Sequence, residues 1–147
     1  MMTGKQRLKA IHNLLKASIP LLTVMRLSEQ YIEDKTKREQ EISRRISRTL
    51  KFTHVAAYEP LLAIYESSPT KSGNPNILTH TLCIDVLVSL EEQQSRGIAL
   101  DLEEHIKKAL TGRLIGTGIK YKDTVYDRKT AAGWYKLTVR FNYNNIK

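Results

Sequence analysis

Cysteine occurs once, at Cys83, so the chain cannot close a disulfide on itself. A disulfide-stapled secreted fold is excluded and a reducing compartment fits. Long apolar runs are missing too. The longest, IPLLTVM (19–25) and LLAIY (61–65), fall far short of the roughly 20 residues that cross a bilayer, so no membrane partner is expected. No apolar segment followed by a small-residue cleavage site opens the chain, as a secretory signal would require. Acidic residues are absent from positions 1–28, which hold five Lys or Arg. Transit peptides share that balance, but this stretch is poor in Ser and Arg and reads as a capped helix. Catalytic and metal-binding spacings are lacking as well. There is no His-x-x-x-His, no cysteine cluster and no Asp/His/Glu grouping with ligand spacing, so no catalytic residue, metal or cofactor is expected.

What is present suits one folded domain. The chain has 147 residues, 41% hydrophobic and 27% charged, enough for a single modest core. Net charge is +9 and unevenly placed: residues 1–54 hold 12 basic against 5 acidic, while residues 55–147 hold 12 against 10. Such asymmetry speaks of a polyanionic neighbour, nucleic acid or an acidic protein surface, and not of the fold.

Thr3 and Gln6 form a capping box for a helix over about 4–18, with Leu8, Ile11, Leu14 and Leu15 at helical spacing. Lys5, Arg7, Lys9 and Lys16 fall on its wet side, and Pro20 closes it. Residues 21–27 fit a short strand or a helix entry. From 29 to 50 the absence of Gly and Pro favours a charged helix, with Asp34–Arg38 and Glu41–Arg45 as i, i+4 ion pairs. LLAIYES (61–67) reads as a strand and SSPTKSGNPN (67–76) as a loop. In HTLCIDVLVSL (80–90), Leu82, Ile84, Val86, Val88 and Leu90 alternate with a mostly polar face. A second amphipathic helix spans 95–112, with Glu103–Lys107 and Glu104–Lys108 as pairs and Gly112 beyond its end. Two strands, 119–127 and 134–144, flank the hairpin loop RKTAAG.

The pattern predicts an α+β fold: a small mixed, mainly antiparallel sheet of about four strands packed against an amphipathic helix, with N-terminal helices. Residues 1–51 form its basic helical part and 52–147 its sheet-plus-helix core.

Few residues carry candidate chemistry. His80 and His105 read as structural histidines and Cys83 as a small hydrophobe. The glycines of TGRLIGTGIK (111–120) leave a helix and enter a strand, the wrong order for a phosphate loop. Along 119–143, Tyr121, Tyr135, Phe141 and Tyr143 share the phase of Ile119, Leu137 and Val139, which makes them core. Lys120, Lys122, Lys136 and Arg140 share the outer face with Tyr126 and Trp134. In KREQEISRRISRTLK (37–51), Arg44, Arg45, Arg48 and Lys51 lie opposite Ile42, Ile46 and Leu50. Two readings stay open for them, a solvated helix face or a partner- or DNA-facing surface.

The order LLAIYESS (61–68), Pro/Gly-rich loop, THTLCIDVLVSL (79–90) running straight into EEQQ, helix 96–111 and closing hairpin 119–144 resembles the tail terminator (head–tail joining) proteins of long-tailed bacteriophages. That family also begins with a short helix, as in KQRLKAIHNLLKAS (5–18); the charged helix 29–50 is a departure from it. The resemblance implies a structural virion protein and not an enzyme. Its expected partners are copies of itself in a ring, typically a hexamer, the tail tube protein and the head connector, with DNA passing through. It would be assembled in the host cytoplasm and reside in the virion neck. Subunit contacts are then expected from the loops at Lys71, Asn74, Arg128, Lys129 and Trp134. The alternative is a small basic nucleic-acid-binding module.

Overall fold

The computed structural model describes residues 3–48, 59–67, 70–71, 77–115, 117–127 and 133–146, without the side chains at 70, 71, 77, 78 and 144–146. Helix α1 (Gly4–Lys16) starts at the expected capping box. The Gln6 N–H donates to the Thr3 hydroxyl at 3.2 Å, and the Thr3 N–H donates to Gln6 Oε1 at 2.8 Å. The ambiguous stretch after it is a short helix, α2 (Ile19–Val24), capped by Ser18, with Pro20 in the first turn where its missing N–H leaves no bond unmade.

Helix α3 (Lys35–Arg45) is shorter than the expected 29–50. Asp34 sets its start by accepting from the Lys37 N–H at 2.9 Å. At Ile46 the chain turns extended into β1 (Ile46–Ser47), which pairs in parallel with β2 (Leu61–Glu66). β3 (Thr70–Lys71) converts part of the expected loop into a strand against β4 (Ile77–Ser89). The next segment is not one helix but two, α4 (Leu90–Arg96) and α5 (Ile98–Leu110). Gly97, at φ 62°, ends the first and redirects the chain into the second, a left-handed conformation that only glycine adopts freely. β5 (Lys120–Asp127) and β6 (Trp134–Ile146) close the described chain.

The fold is α+β, and its sheet is mixed but mainly antiparallel. Its main path runs β1-β2-β4-β6-β5, with β3 beside β4. Five strands on that path exceed the expected four by the two-residue β1. β4 is central, and all its residues pair with β6, from Ile77↔Ile146 to Ser89↔Trp134. Helices α1 and α5 pack on one face of the sheet, and α2 packs against both of them. There Leu82, Ile84, Val86 and Val88 of β4 meet Leu137, Val139 and Phe141 of β6 and Ile98, Leu102, Ile106 and Leu110 of α5. Ile11, Leu15, Ile42 and Ile46 join the same cluster, so the N-terminal helices share one core with the sheet. Leu90, expected on this face, is instead exposed at the start of α4.

Arg7 ties α1 to the sheet and is buried, not on the wet side as its spacing predicts. Its Nε and Nη2 donate to the two oxygens of Glu66 at 2.9 and 3.0 Å, and the Tyr143 hydroxyl donates to the same carboxylate. Burial works to raise the Glu66 pKa, but hydrogen bonds from Arg7 and Tyr143 hold it below the usual carboxylate range. His80 stacks on Tyr143 with ring centroids 5.4 Å apart and stands 3.5 Å from Glu66 without an aligned hydrogen bond at either ring nitrogen. Burial, reinforced by the Arg7 charge, lowers its pKa from the ordinary 6.5. Burial also lowers that of His12, whose ring meets the Ile46 carbonyl at 2.8 Å.

Both imidazoles are thus neutral in the folded chain at pH values where the unfolded chain protonates them. Stability should be full above about pH 6.5 and fall as pH drops below it, toward the depressed folded values. Urea midpoints measured at pH 8, 7, 6 and 5 test this. The midpoint should hold between pH 8 and 7 and then decline, and His80→Phe should flatten the decline. A midpoint that rises on acidification contradicts it.

Candidate assembly surface

The arginines of 44–48 do not form one outward basic face. Arg45 is 5% exposed and points inward. Its Nε donates to the Pro60 carbonyl at 3.1 Å and its Nη2 to the Met25 carbonyl at 2.8 Å, pinning α3 to the chain before β2 and to the end of α2. The expected Glu41–Arg45 pair is replaced by Glu41–Arg44, one residue earlier. Arg44 reaches Glu41 at 2.7 Å and Glu59 at 2.6 Å, so its charge is neutralised across α3 and the segment entering β2. Asp34, expected to pair with Arg38, is the helix cap, and Arg38 donates to the Ile32 and Glu33 carbonyls. The cause is the early end of α3. With Ile46 in a strand, the helical projection that put Arg45 outside no longer applies. Of the four predicted cations, Arg48 is exposed. Lys51 lies outside the described residues.

The sheet face away from the helices was expected to be a basic outer surface. Two of its cations, Lys136 and Arg140, are paired. Asp85, 4% exposed, accepts from Thr138 Oγ1 at 2.6 Å and Tyr65 OH at 3.0 Å, with Lys136 Nζ at 3.6 Å. Burial and the adjacent Asp85 push the Tyr65 hydroxyl pKa up, so Tyr65 remains a donor. Arg140 grips Asp123 with two bonds of 2.6 Å, clamping β6 to β5. Cys83 lies within this layer, buried, with its thiol pKa raised by burial and by Asp85. It sits on the polar-network face rather than in the apolar core.

Among the described residues, strand β5 forms one end of the sheet, with a partner on the β6 side alone. The register shifts between Tyr121 and Asp123, where Tyr121 pairs Phe141 and Asp123 pairs Arg140. This bulge inverts the face of every later residue. Tyr126 therefore turns to the helix side, where its hydroxyl donates to Glu103 Oε2 at 3.2 Å, and Val125 turns to the open face. The expected outer placement of Tyr126 is thus reversed. Tyr121 keeps the helix side and packs edge-on against Phe141, with Lys107 Nζ 4.3 Å from its ring centroid. It is nonetheless 38% exposed, because no strand among the described residues lies beyond it. Tyr126, 51%, and Val125, 45%, are exposed for the same reason.

Among the expected contact loops, Asn74, Arg128 and Lys129 lie outside the described residues. Lys71 belongs to β3 and not to an open loop, and its side chain is likewise outside them. Trp134 is the first residue of β6, half-buried and in register with Ser89. No helix among the described residues is long and apolar enough to cross a membrane.

These placements separate Arg45 from Arg48 by experiment. Arg45→Ala strands two buried carbonyls and should cost about 1–3 kcal/mol in chemical denaturation. Arg48→Ala should stay within about 0.5 kcal/mol. Equal small effects would contradict the inward placement of Arg45.

No protein-family model matches the chain, and no curated protein matches it, so the functional reading rests on its own surfaces and element order.

Proposed function

We propose that this protein is a structural virion component that closes into a ring, ends the phage tail tube and joins it to the head connector. It acts without catalysis, assembles in the host cytoplasm and resides in the virion neck. The observation that carries the reading is the element order. Strand β2 is followed by the two-residue β3 and by the long alternating β4, which runs directly into the polar helix α4. The amphipathic helix and a closing hairpin come next. This is the order on which the resemblance to tail terminators rests.

The open β5 edge supports it. A ring needs two different patches that meet head to tail around an axis. The strand order supplies distinct ends, β5 and the two-residue β1. Free edges invite indiscriminate pairing unless blunted by lysines or bulges. Lys120, Lys122 and the bulge at Tyr121/Asp123 blunt the first half of β5 in this way, while Thr124–Val125–Tyr126–Asp127 stays regular. The 127–134 connection, where the contact residues Arg128, Lys129 and Trp134 are expected, continues from that regular half.

The second reading, a nucleic-acid-binding module, is favoured by a specific observation, the absence of acid from residues 1–28.

Native mass spectrometry of the full chain, alone and with tail tube protein, tests the ring. A discrete closed oligomer, expected as a hexamer, should form in one of the two samples. Val125→Lys should lower its population by at least about tenfold while circular dichroism stays unchanged. A monomer in both samples overturns the reading.

A further inference from the structure

We infer that the outer surface of the helical layer, centred on the groove between α1, α2 and the C-terminal half of α5, is a sequence-independent binding surface for the phosphate backbone of duplex nucleic acid. The groove has a volume of about 330 Å³. Its walls are apolar, from Leu14, Ala17, Pro20 and Ala109; its charged lining is Lys108 and Arg113, with His105 beside them. No acid lines it.

A second group of cations lies on the outer side of α1, turned away from the groove-lining Leu14. Lys5, Lys9 and Lys16 fall within about 40° of one another around α1 at 3.6 residues per turn, opposite the buried Arg7, Ile11 and Leu15. Residues 105–113 hold Lys107, Lys108 and Arg113 and no Asp or Glu, although residues 55–147 as a whole carry 12 basic against 10 acidic. The acids of α5, Asp101, Glu103 and Glu104, all stand in its N-terminal half and bound the patch on that side. Among the described residues, Lys5, Lys9, Lys16, Lys108 and Arg113 make no ion pair, and the expected Glu104–Lys108 bridge is not formed. Arg7, Arg44, Lys107, Lys136 and Arg140 each meet a carboxylate instead.

Helix electrostatics explains only part of this surface. Lys16 and Lys108 stand in last turns, where the helix dipole favours cations. Lys5 stands in the first turn of α1, where the dipole disfavours a cation and which holds no acid. A position that works against its own helix marks a surface retained for something other than folding.

The composition selects the partner. Protein interfaces are depleted in Lys at their cores and carry aromatic anchors. This surface is Lys-rich, and its groove is lined by no Phe, Tyr or Trp. Without an aromatic platform it also lacks the means to stack unpaired bases. What remains is contact between solvated cations and a regular array of phosphates, driven by counterion release. The inference holds for a monomer as for a ring. Its failure would leave the ring reading, which is judged by mass, untouched.

The test is fluorescence anisotropy of the full chain with a labelled duplex of about 20 base pairs, titrated between about 50 and 200 mM salt. Wild-type affinity should fall steeply with salt. The triple variant Lys9→Gln/Lys108→Gln/Arg113→Gln should bind at least about tenfold more weakly at low salt, with a log–log slope smaller by roughly 2–3. Arg48→Gln, on the α3 side, should change affinity less than about twofold. A circular-dichroism melt checks that the triple variant is folded. If it is not, Lys9→Gln and Lys108→Gln singly should each lower the slope by about 0.9. Four results would overturn the inference: unchanged binding by the folded variants, salt-independent binding, an Arg48→Gln loss as large as the triple, or displacement of the duplex by polyglutamate at equal charge. The last would assign the surface to an acidic protein. Tighter binding to oligo(dT) than to the duplex would exclude the backbone-only mode.

Discussion

Thirteen consecutive residue pairs between β4 and β6 fix the placement of nearly every other side chain in the molecule. Side chains alternate along a strand, so this register decides two faces at once. Leu82↔Phe141, Ile84↔Val139 and Val86↔Leu137 stack beneath α5, while Cys83↔Arg140, Asp85↔Thr138 and Leu87↔Lys136 lie on the other side. A slip of one residue would drive Asp85 into the apolar layer and lift Ile84 out of it. The cost of burying an unpaired carboxylate makes such a slip prohibitive, so the polar network around Asp85 specifies register as much as it adds stability.

The same economy governs the buried cations. Arg7 and Arg45 are both nearly inaccessible, yet their pKa values move in opposite directions. Arg7 meets a carboxylate with two bonds, and the Glu66 hydrogen bonding outweighs burial, so its pKa rises. Arg45 meets carbonyl dipoles only, with Glu59 and Glu41 acting at longer range, so burial wins and its pKa falls. Partner chemistry, not depth, sets the sign. Both guanidiniums join elements distant in sequence, Arg7 from α1 to β2 and Arg45 from α3 to the residues before β2 and after α2. Two of the chain's arginines are therefore architectural.

What could be read from the sequence follows from the range of each signal. The capping box at Thr3 and Gln6 and the alternation of Leu82 through Val88 are local and strong, and both appear as expected. The α+β class followed from such patterns. Boundaries failed where a tertiary contact overrode composition: α3 stops at Arg45 because Ile46 pairs with Leu62, a partner far along the chain. Projecting a helix through residues 46–50 then sent Arg45 to the wrong side. Gly97 was visible as a glycine, but its role between two helices depends on a turn that periodicity does not report. The bulge in β5 had a faint trace: Tyr121 and Tyr126, five apart, can share a face only if one residue is inserted between them. That clue was indistinguishable from ordinary alternation without the β6 partner.

The β5 edge and the helical layer are different surfaces with different chemistry, and this bears on how they could act together. The edge lies in the plane of the sheet and presents backbone groups beside Val125 and Tyr126, which suits a directional contact between chains. The helical layer lies across one face and presents mobile ammonium groups, which suit a partner with repeated charge and no fixed register. Occupying one does not cover the other. Lys107 stands at the seam, turned from the groove toward Tyr121 and bonded to Glu103 at 3.2 Å, so its charge belongs to the fold. A subunit joined to its neighbours along the sheet plane would keep its helical face open.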